Sequence, residues 1–274
     1  MPQDAWKTIS GTMMTTERIG AYGGFRFSRE ALESAAAAIR LNGLPMHVEH
    51  DLRRPLRTRN IDAFVESRED GIDMLQFTLE IHLDDAHWVD TFRAISFTIT
   101  TPLPRPLEYL EPESPRVSLS ADNAWFDDES ILAAESAIRS NGVSSEDVLA
   151  ERAFQFSFVP DPQIFMTVSV ALLTGVAANA LWSGVVHLFR SRRTPAGGNA
   201  DRPTIVNLTL VDGDASMTAV VETESEVVAM RALENIDELV EALRERKGAQ
   251  AKEEKVEPSA VVWNDTSGSW TPPT

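Results

Sequence analysis

The chain of 274 residues contains no cysteine, and this absence narrows the chemistry available to it. Disulfide bonds, thiolate metal ligands and cysteine nucleophiles are all excluded. Basic residues are also scarce, because 25 lysines and arginines stand against 42 aspartates and glutamates, giving a formal net charge of -17. Nucleic-acid binders gain most of their affinity from lysine and arginine contacts with phosphates, so this charge argues against a nucleic-acid partner.

The amino terminus, MPQDAWKTISGTMM, lacks the basic region and the apolar run of a cleavable secretory signal. We therefore expect an intracellular protein. The hydrophobic fraction of 43% is ordinary for a folded chain, and the length suffices for one large domain or two small ones.

Residues 1–163 combine helical and strand patterns and predict a β-rich α+β domain. A helix is expected from about Arg29 to Leu41, because ALESAAAAIRL favours helix strongly. Ser28 is the expected N-cap, and Gly43 is the expected stop.

Strands are indicated by alternation with a period of two. The clearest case is MLQFTLEIHL, whose apolar residues are separated by polar ones. The turn signal EDG at 69–71 predicts that this strand forms a hairpin with IDAFVES. Two further strands are expected at RAISFTITT and RAFQFSFVP, with a helix near 129–140 between them.

An apolar run, IFMTVSVALLTGVAANALWSGVVHLF, occupies residues 164–189 without a charged residue. It predicts one long apolar helix over 164–190, long enough to cross a membrane, which requires about 20 residues. The alternative is a helix buried in a soluble core or in a homo-oligomer, because small and polar residues recur at every fourth position. These residues are Thr167, Ala171, Gly175, Asn179, Ser183 and His187, and a basic stop follows at Arg190, Arg192 and Arg193.

The composition and pattern of the remaining residues predict three segments. Residues 191–202 have the composition of a flexible linker. Residues 203–247 predict a small ββα module, with two strands about an Asp-Gly turn and one helix, suited to partner binding or self-association. Residues 248–274 are charged and then rich in Pro, Ser and Thr, so we expect them to be mostly disordered.

Four of the five histidines fall between His47 and His87, and two of them lie in MHVEHDLRRPL. If this stretch is extended, His47 and Glu49 face one way and His50 the other, so the three cannot bind one metal without a bend. A metal-dependent hydrolase using His47, Glu49, His50 and His82 is an alternative hypothesis that requires such a bend, and we otherwise expect no cofactor. Ordinary polar residues of a half-exposed sheet are the simpler interpretation of His82 and His87.

The order of four segments carries more information than any one of them. GLPMHVEHDLRRPL, EDGIDMLQFTLEI, FRAISFTI and RAFQFSFVPDP together resemble the tailed-phage prohead (capsid maturation) protease family, which comprises serine peptidases with an assemblin-like fold. In that family a His-Asp pair precedes a Pro-Leu or Pro-Ile, and a strand bearing the nucleophilic serine follows a hairpin. The resemblance covers about residues 8–166.

The resemblance implies three site residues. His50 takes the place of the general base, Ser96 that of the nucleophile, and Gln155 falls where the family usually has an acidic residue. Thr98 departs from the family as well, since a glycine usually stands two residues after the serine. Glu151 or His82 could replace the missing carboxylate behind His50.

Two functions are therefore expected. The first is a serine endopeptidase of prohead-protease type that acts on a protein partner or on itself through Ser96 and His50. The second is a catalytically inactive, protease-derived binding or scaffold module that the apolar helix anchors or oligomerises. The changed residues at 98 and 155 and the unrelated second half of the chain favour the second function.

Overall fold

The structure is a computed structural model that describes residues 5–43, 46–48, 51–92, 95–96, 98–105, 112–155, 160–173, 177–195, 198–250 and 260–273. Two compact units share the chain. The first comprises Met1–Thr98 and Gln155–Pro160, and the second comprises Ile99–Phe154 and Asp161–Thr274. Helices and β-sheets occur in both, which confirms the α+β class.

The first unit contains six strands and two α-helices among its described residues, besides a short 3-10 helix at Gly20–Tyr22. The strands are β1 (Trp6–Thr15), β2 (His47–Val48), β3 (Asp51–Pro55), β4 (Thr58–Ser67), β5 (Asp73–His82) and β6 (Ile95–Ser96). The helices are α1 (Arg29–Asn42) and α2 (Leu83–Phe92). The strands form two sheets, in the orders β1-β5-β4 and β3-β2-β6.

Helix α1 confirms the predicted helix at both ends. The Ser28 hydroxyl accepts a hydrogen bond from the Ala31 amide at 3.2 Å, which satisfies one of the donors left free at a helix start. Gly43 ends the helix with φ of 73°, a conformation that glycine adopts without a steric penalty.

The predicted hairpin is also confirmed, since β4 and β5 are antiparallel neighbours. Gly71 lies in the turn with φ of 81°. Leu75, Leu79 and Ile81 point into the core of the unit, because alternate residues of a strand face the same side.

The second unit is built around one eight-stranded sheet of order β14-β13-β12-β11-β10-β8-β9-β7. Its strands are β7 (Thr98–Pro102), β8 (Val117–Asp122), β9 (Val148–Gln155), β10 (Gln163–Ser169), β11 (Thr204–Asp212), β12 (Ala215–Thr223), β13 (Ala260–Asn264) and β14 (Ser269–Thr271). Its helices are α3 (Asp128–Ser140), α4 (Ala177–Ser191), α5 (Glu226–Glu234) and α6 (Ile236–Gln250). Helix α3 confirms the helix predicted near 129–140.

The prediction of one long helix over 164–190 is wrong, because this segment contains strand β10 followed by helix α4. Ile164, Met166 and Val168 are buried on one face of the sheet, whereas Thr167 is exposed on the other. A continuous apolar run does not distinguish a buried strand from a buried helix by periodicity. This segment forms a strand because it pairs with β8 on one side and with β11 on the other.

No helix in the described part of the chain is both long enough and apolar enough to cross a membrane. The arginines predicted as a basic stop make contacts within the second unit. Arg190 forms an ion pair with Glu226 at 2.9 Å, and the Arg192 guanidinium lies 4.6 Å from the centre of the Trp125 ring. Arg193 donates a hydrogen bond to the Asn123 carbonyl at 2.8 Å.

The predicted ridge of small residues does not lie on one helix, since Thr167 is in β10 and Ser183 is in α4. The close helix contact that the structure contains is made by Gly184. A Cβ atom there would lie 2.7 Å from the Ile138 side chain and 3.2 Å from the Ala134 carbonyl of α3. The small residue thus serves packing inside this unit, and self-association through 164–190 stays a prediction.

The predicted Asp-Gly hairpin corresponds to β11 and β12, with Gly213 at φ of 63°. These strands continue the sheet of β8 and β10 in the same unit, so the segment 203–247 shares its sheet with residues of the predicted first domain. The single predicted helix is divided into α5 and α6 at Asn235, whose side-chain amide donates to the Arg231 carbonyl at 2.8 Å.

The tail differs from the prediction of disorder over 248–274. Residues Ala260–Asn264 and Ser269–Thr271 form strands β13 and β14 at the edge of the sheet. Trp263 and Trp270, which composition marks as isolated aromatic residues, pack edge to face with ring centres 5.2 Å apart. Aromatic pairing across two strands supplied the apolar contact that composition alone did not indicate.

Candidate functional site

The segments that carry the predicted base and nucleophile are brought together in the sheet of β3, β2 and β6. Strand β2 pairs with β6 in antiparallel fashion, with His47 opposite Ser96 and Val48 opposite Ile95. Directly opposite residues of an antiparallel ladder have Cα atoms about 4.5 or 5.5 Å apart. The fold therefore brings the histidine segment beside the serine strand, although they are distant in the sequence.

His47 is the histidine at the position opposite Ser96. The sequence favours His50 instead, but His50 and Glu49 lie outside the described residues. The ladder register between two short strands depends on tertiary contacts, so no sequence pattern could have placed position 47 opposite position 96.

The part-buried imidazole of His47 has a pKa lowered to about 4, because burial penalises its charged form. The negative charge of Asp51 acts in the opposite direction and raises this pKa. His47 is thus neutral near pH 7 and carries a lone pair that could accept a proton.

The carboxylate of Asp51 is fixed by its neighbours at the start of β3. It accepts hydrogen bonds from the Arg53 amide at 2.9 Å and from the Arg53 Nε at 2.7 Å. Arg54 Nε lies 3.7 Å from its other oxygen. Two guanidinium groups and His47 therefore share the field of this one carboxylate.

Gln155, the third predicted site residue, is the last residue of β9, belongs to the first unit and is fully buried. Its backbone exchanges two hydrogen bonds with Tyr22, whose hydroxyl accepts from the Gln155 amide at 2.7 Å and donates to the Gln155 carbonyl at 2.8 Å. Tyr22 had no signal in the sequence, since one buried tyrosine with a bonded hydroxyl resembles any other core aromatic residue.

Comparisons with family models, with curated proteins and with solved structures return no match.

The alternative partners for the histidine lie in other surroundings. His82 ends β5, packs edge to face against Trp6 at 5.1 Å, and accepts a hydrogen bond from the Asp84 amide at 3.3 Å through Nδ1. Glu151 is opposite Ser120 in the ladder of β8 and β9 in the second unit. Both have structural neighbours that account for their positions.

The metal hypothesis names His47, Glu49, His50 and His82. Within the described ranges, no three or more histidine, aspartate or glutamate side chains are grouped so that they could bind a metal ion. Glu49 and His50, two of the residues in the metal hypothesis, lie outside those ranges. The described part of the site consists of the serine strand β6 beside the histidine strand β2.

Proposed function

We propose that the chain is a serine endopeptidase of the prohead-protease type, with an assemblin-like arrangement of its first unit. The observation that carries this proposal is the antiparallel pairing of β2 with β6, which puts His47 opposite Ser96. A serine hydroxyl is a weak nucleophile and needs a base within hydrogen-bond reach. This pairing supports such a contact between a histidine of 47–50 and Ser96.

In the proposed reaction, Ser96 Oγ forms a bond to the carbonyl carbon of a peptide as a histidine accepts the hydroxyl proton. The resemblance implies His50 for this role, whereas the ladder register supports His47. The resulting imidazolium donates this proton to the amine, which leaves as the C–N bond breaks. Water then attacks the acyl-enzyme with the same histidine as base, which restores the serine. The reaction needs no cofactor, and the substrate is a protein partner or the chain itself.

Gln155 would act as a positioning residue in this reaction. Its side-chain oxygen could accept the second imidazole N–H and select one tautomer, as a carboxylate does in a triad. An amide carries no charge and stabilises the imidazolium less, so we expect slower proton transfer than in a triad with an acidic residue.

The second candidate is a binding or scaffold module that retains this fold without catalysis. The buried Gln155 favours it, because a glutamine stands where the resembling family has an acid. In that case Ser96 and the histidines would be ordinary residues of a short sheet, and their substitution would change no activity.

A fluorophosphonate probe separates the two candidates. The native chain should become labelled at Ser96, as read by peptide mass spectrometry, and the Ser96→Ala variant should lose the label while keeping its circular dichroism spectrum. Ser118→Ala, which removes a half-buried strand serine of the second unit, is the matched control and should label normally. A native, folded chain without label or self-cleavage would contradict the endopeptidase.

The choice between the two histidines has its own test. If His50 is the base, as the resemblance implies, His50→Gln should abolish labelling and His47→Gln should reduce it. Loss of labelling in His47→Gln with normal labelling in His50→Gln would transfer the role of base to His47. The rate profile would then fall near pH 4 instead of near the ordinary histidine pKa, as the base becomes protonated.

A further inference from the structure

The carboxyl-terminal strands β13 and β14 form a hairpin that carries its own internal bonds. Trp263 lies opposite Trp270, and the Asn264 side chain accepts hydrogen bonds from the Thr266 and Ser267 amides in the turn. Gly268 closes the turn with φ of 63°. Because these bonds lie within residues 260–271, the hairpin can dock or leave as one piece.

The hairpin is attached to the rest of the second unit through a short strand pairing. Strand β13 pairs with β12 in parallel over Thr218–Val220, whereas β11 pairs along the whole of β12. Two polar contacts and one buried aromatic residue add to this pairing: Trp270 Nε1 donates to the Asn235 carbonyl at 3.2 Å, Arg231 pairs with Asp265 at 2.9 Å, and Trp263 is buried. A short parallel ladder is a weak attachment compared with its neighbour.

The helices of the second unit lie on one face of the sheet. Leu119, Met166, Leu208 and Ala219 are successive cross-strand neighbours, and all are buried on that face. Val261 is the neighbour of Ala219, and Trp263 lies two residues further along β13, so it faces the same side. Trp270 is opposite Trp263 and therefore lies on this face as well. Its hydrogen bond to Asn235 places the junction of α5 and α6 on this face too.

On this face, one connection differs in hand from the other two. Helix α3 connects β8 to the parallel strand β9, and helix α4 connects β10 to the parallel strand β11. The two pairs run in opposite directions, and each second strand lies nearer the opposite edge of the sheet, so the two connections have the same hand. Strand β12 runs in the direction of β8 but steps the other way, to β13. The connection through α5 and α6 therefore has the opposite hand.

Such an exception is costly, because connections between parallel strands are right-handed in about 98% of cases. The twist of a strand and the hand of the following helix lead the chain back onto the sheet in one direction. If the β13 strand beside β12 came from another chain, no connection of the unfavourable hand would be needed. A second copy is the partner that fits, since it carries the same hairpin and the same β12 edge.

We propose that β13 and β14 are exchanged between two copies of this chain, so that the hairpin of each copy completes the sheet of the other. Residues 251–259, AKEEKVEPS, join α6 to the hairpin, and nine extended residues span at most about 30 Å. Their polar composition suits a connection between two chains. Every contact of the docked hairpin is retained in the exchanged dimer.

Engineered disulfides test this exchange directly, because the native chain has no cysteine. Thr218 and Ala260 are opposite residues of the β12 and β13 ladder, and adjacent strands are about 4.8 Å apart, within the range for a disulfide. After oxidation, Thr218→Cys/Ala260→Cys should run on a non-reducing gel as a covalent dimer of the 30.2 kDa chain.

The matched control is Val262→Cys/Thr271→Cys, whose positions are opposite each other inside the hairpin. It should oxidise fully and stay at the mass of one chain in either arrangement. A second measurement uses co-expressed chains with different tags, one carrying Thr218→Cys and the other Ala260→Cys. Only exchange joins these two single variants in a covalent mixed dimer that reduction dissociates.

Two outcomes would overturn the proposal. In the first, the Thr218→Cys/Ala260→Cys variant loses its free thiols but migrates at the mass of one chain. This result would mean that each hairpin is docked on β12 of its own chain. Free thiols in that variant, beside complete oxidation of the control, would mean that the hairpin does not occupy the β12 edge. Sedimentation of the native chain should also show a dimer that dissociates on dilution.

Discussion

The two β-rich regions of this protein differ in how they are supported. The eight-stranded sheet of the second unit buries an apolar face that includes Leu119, Met166 and Leu208 beneath its helices. The sheet of β3, β2 and β6 in the first unit has strands of only two to five residues, and its histidine is part-buried. Long strands provide stability here, whereas short ones hold the candidate chemistry at their ends.

The same contrast applies to buried polar groups. In the second unit Glu135 is almost completely buried but lies 2.9 Å from Arg105 and 2.6 Å from Arg139. In the first unit His47 is desolvated, and the charge of Asp51 compensates only partly, so its pKa falls to about 4. The second unit thus pairs its buried carboxylate with two guanidinium groups, whereas the small sheet of the first unit leaves a titratable group with a perturbed pKa.

The largest expected effect concerns Glu135. Replacing it by Ala leaves two guanidinium groups of a buried cluster without that carboxylate, which should lower the free energy of unfolding by about 3–5 kcal/mol. Urea denaturation followed by circular dichroism measures this. The control is Glu226→Ala, which removes an exposed ion pair with Arg190 and should lower the free energy of unfolding far less, because water and salt screen this pair. Equal small losses would remove the contrast between buried and exposed pairs.

The next effect concerns His47 and pH. Between pH 6.5 and about 4 the unfolded chain binds a proton at this residue that the folded chain does not, so stability falls as the pH is lowered through this window. The loss should reach on the order of 3 kcal/mol below pH 4, and urea midpoints across the window measure it.

The His47→Gln variant should reduce this dependence on pH, because glutamine does not titrate. His87→Gln, at an exposed position of α2, should keep the dependence of the native chain. An unchanged slope in His47→Gln would show that the burial of this imidazole does not perturb its pKa.

The smallest expected effect tests the helix layer of the second unit. Gly184→Ala in α4 introduces a Cβ atom 2.7 Å from the Ile138 side chain, and it should destabilise the chain by about 1–3 kcal/mol. Gly248→Ala in α6 meets no atom within 4 Å, so the better helix propensity of alanine should stabilise it by about 0.5–1 kcal/mol. Thermal unfolding distinguishes the two signs, and a neutral Gly184→Ala would contradict the close contact of α3 with α4.

Local signals were sufficient for several elements. The cap at Ser28, the stop at Gly43, and the turns at Gly71 and Gly213 depend on backbone conformations and hydrogen bonds within a few residues. These elements were predicted from sequence because their determinants are neighbours in the chain.

The apolar run 164–189 and the tail from 248 were not predicted correctly. In the first case, the apolar residues of strand β10 and those of helix α4 follow each other in the sequence and form one continuous apolar stretch. In the second, Trp263 and Trp270 become a core contact only when β13 lies beside β12. Both outcomes depend on residues distant in sequence.

The candidate site shows the same division. Residue patterns alone predict that Ser96 lies on a strand, show histidines before Asp51 and exclude cysteine chemistry. The positions of His47 opposite Ser96 and of Tyr22 against the backbone of Gln155 come from the folded chain. Ladder register and burial depend on contacts between distant segments, and a shift of one residue would exchange the two faces of a strand.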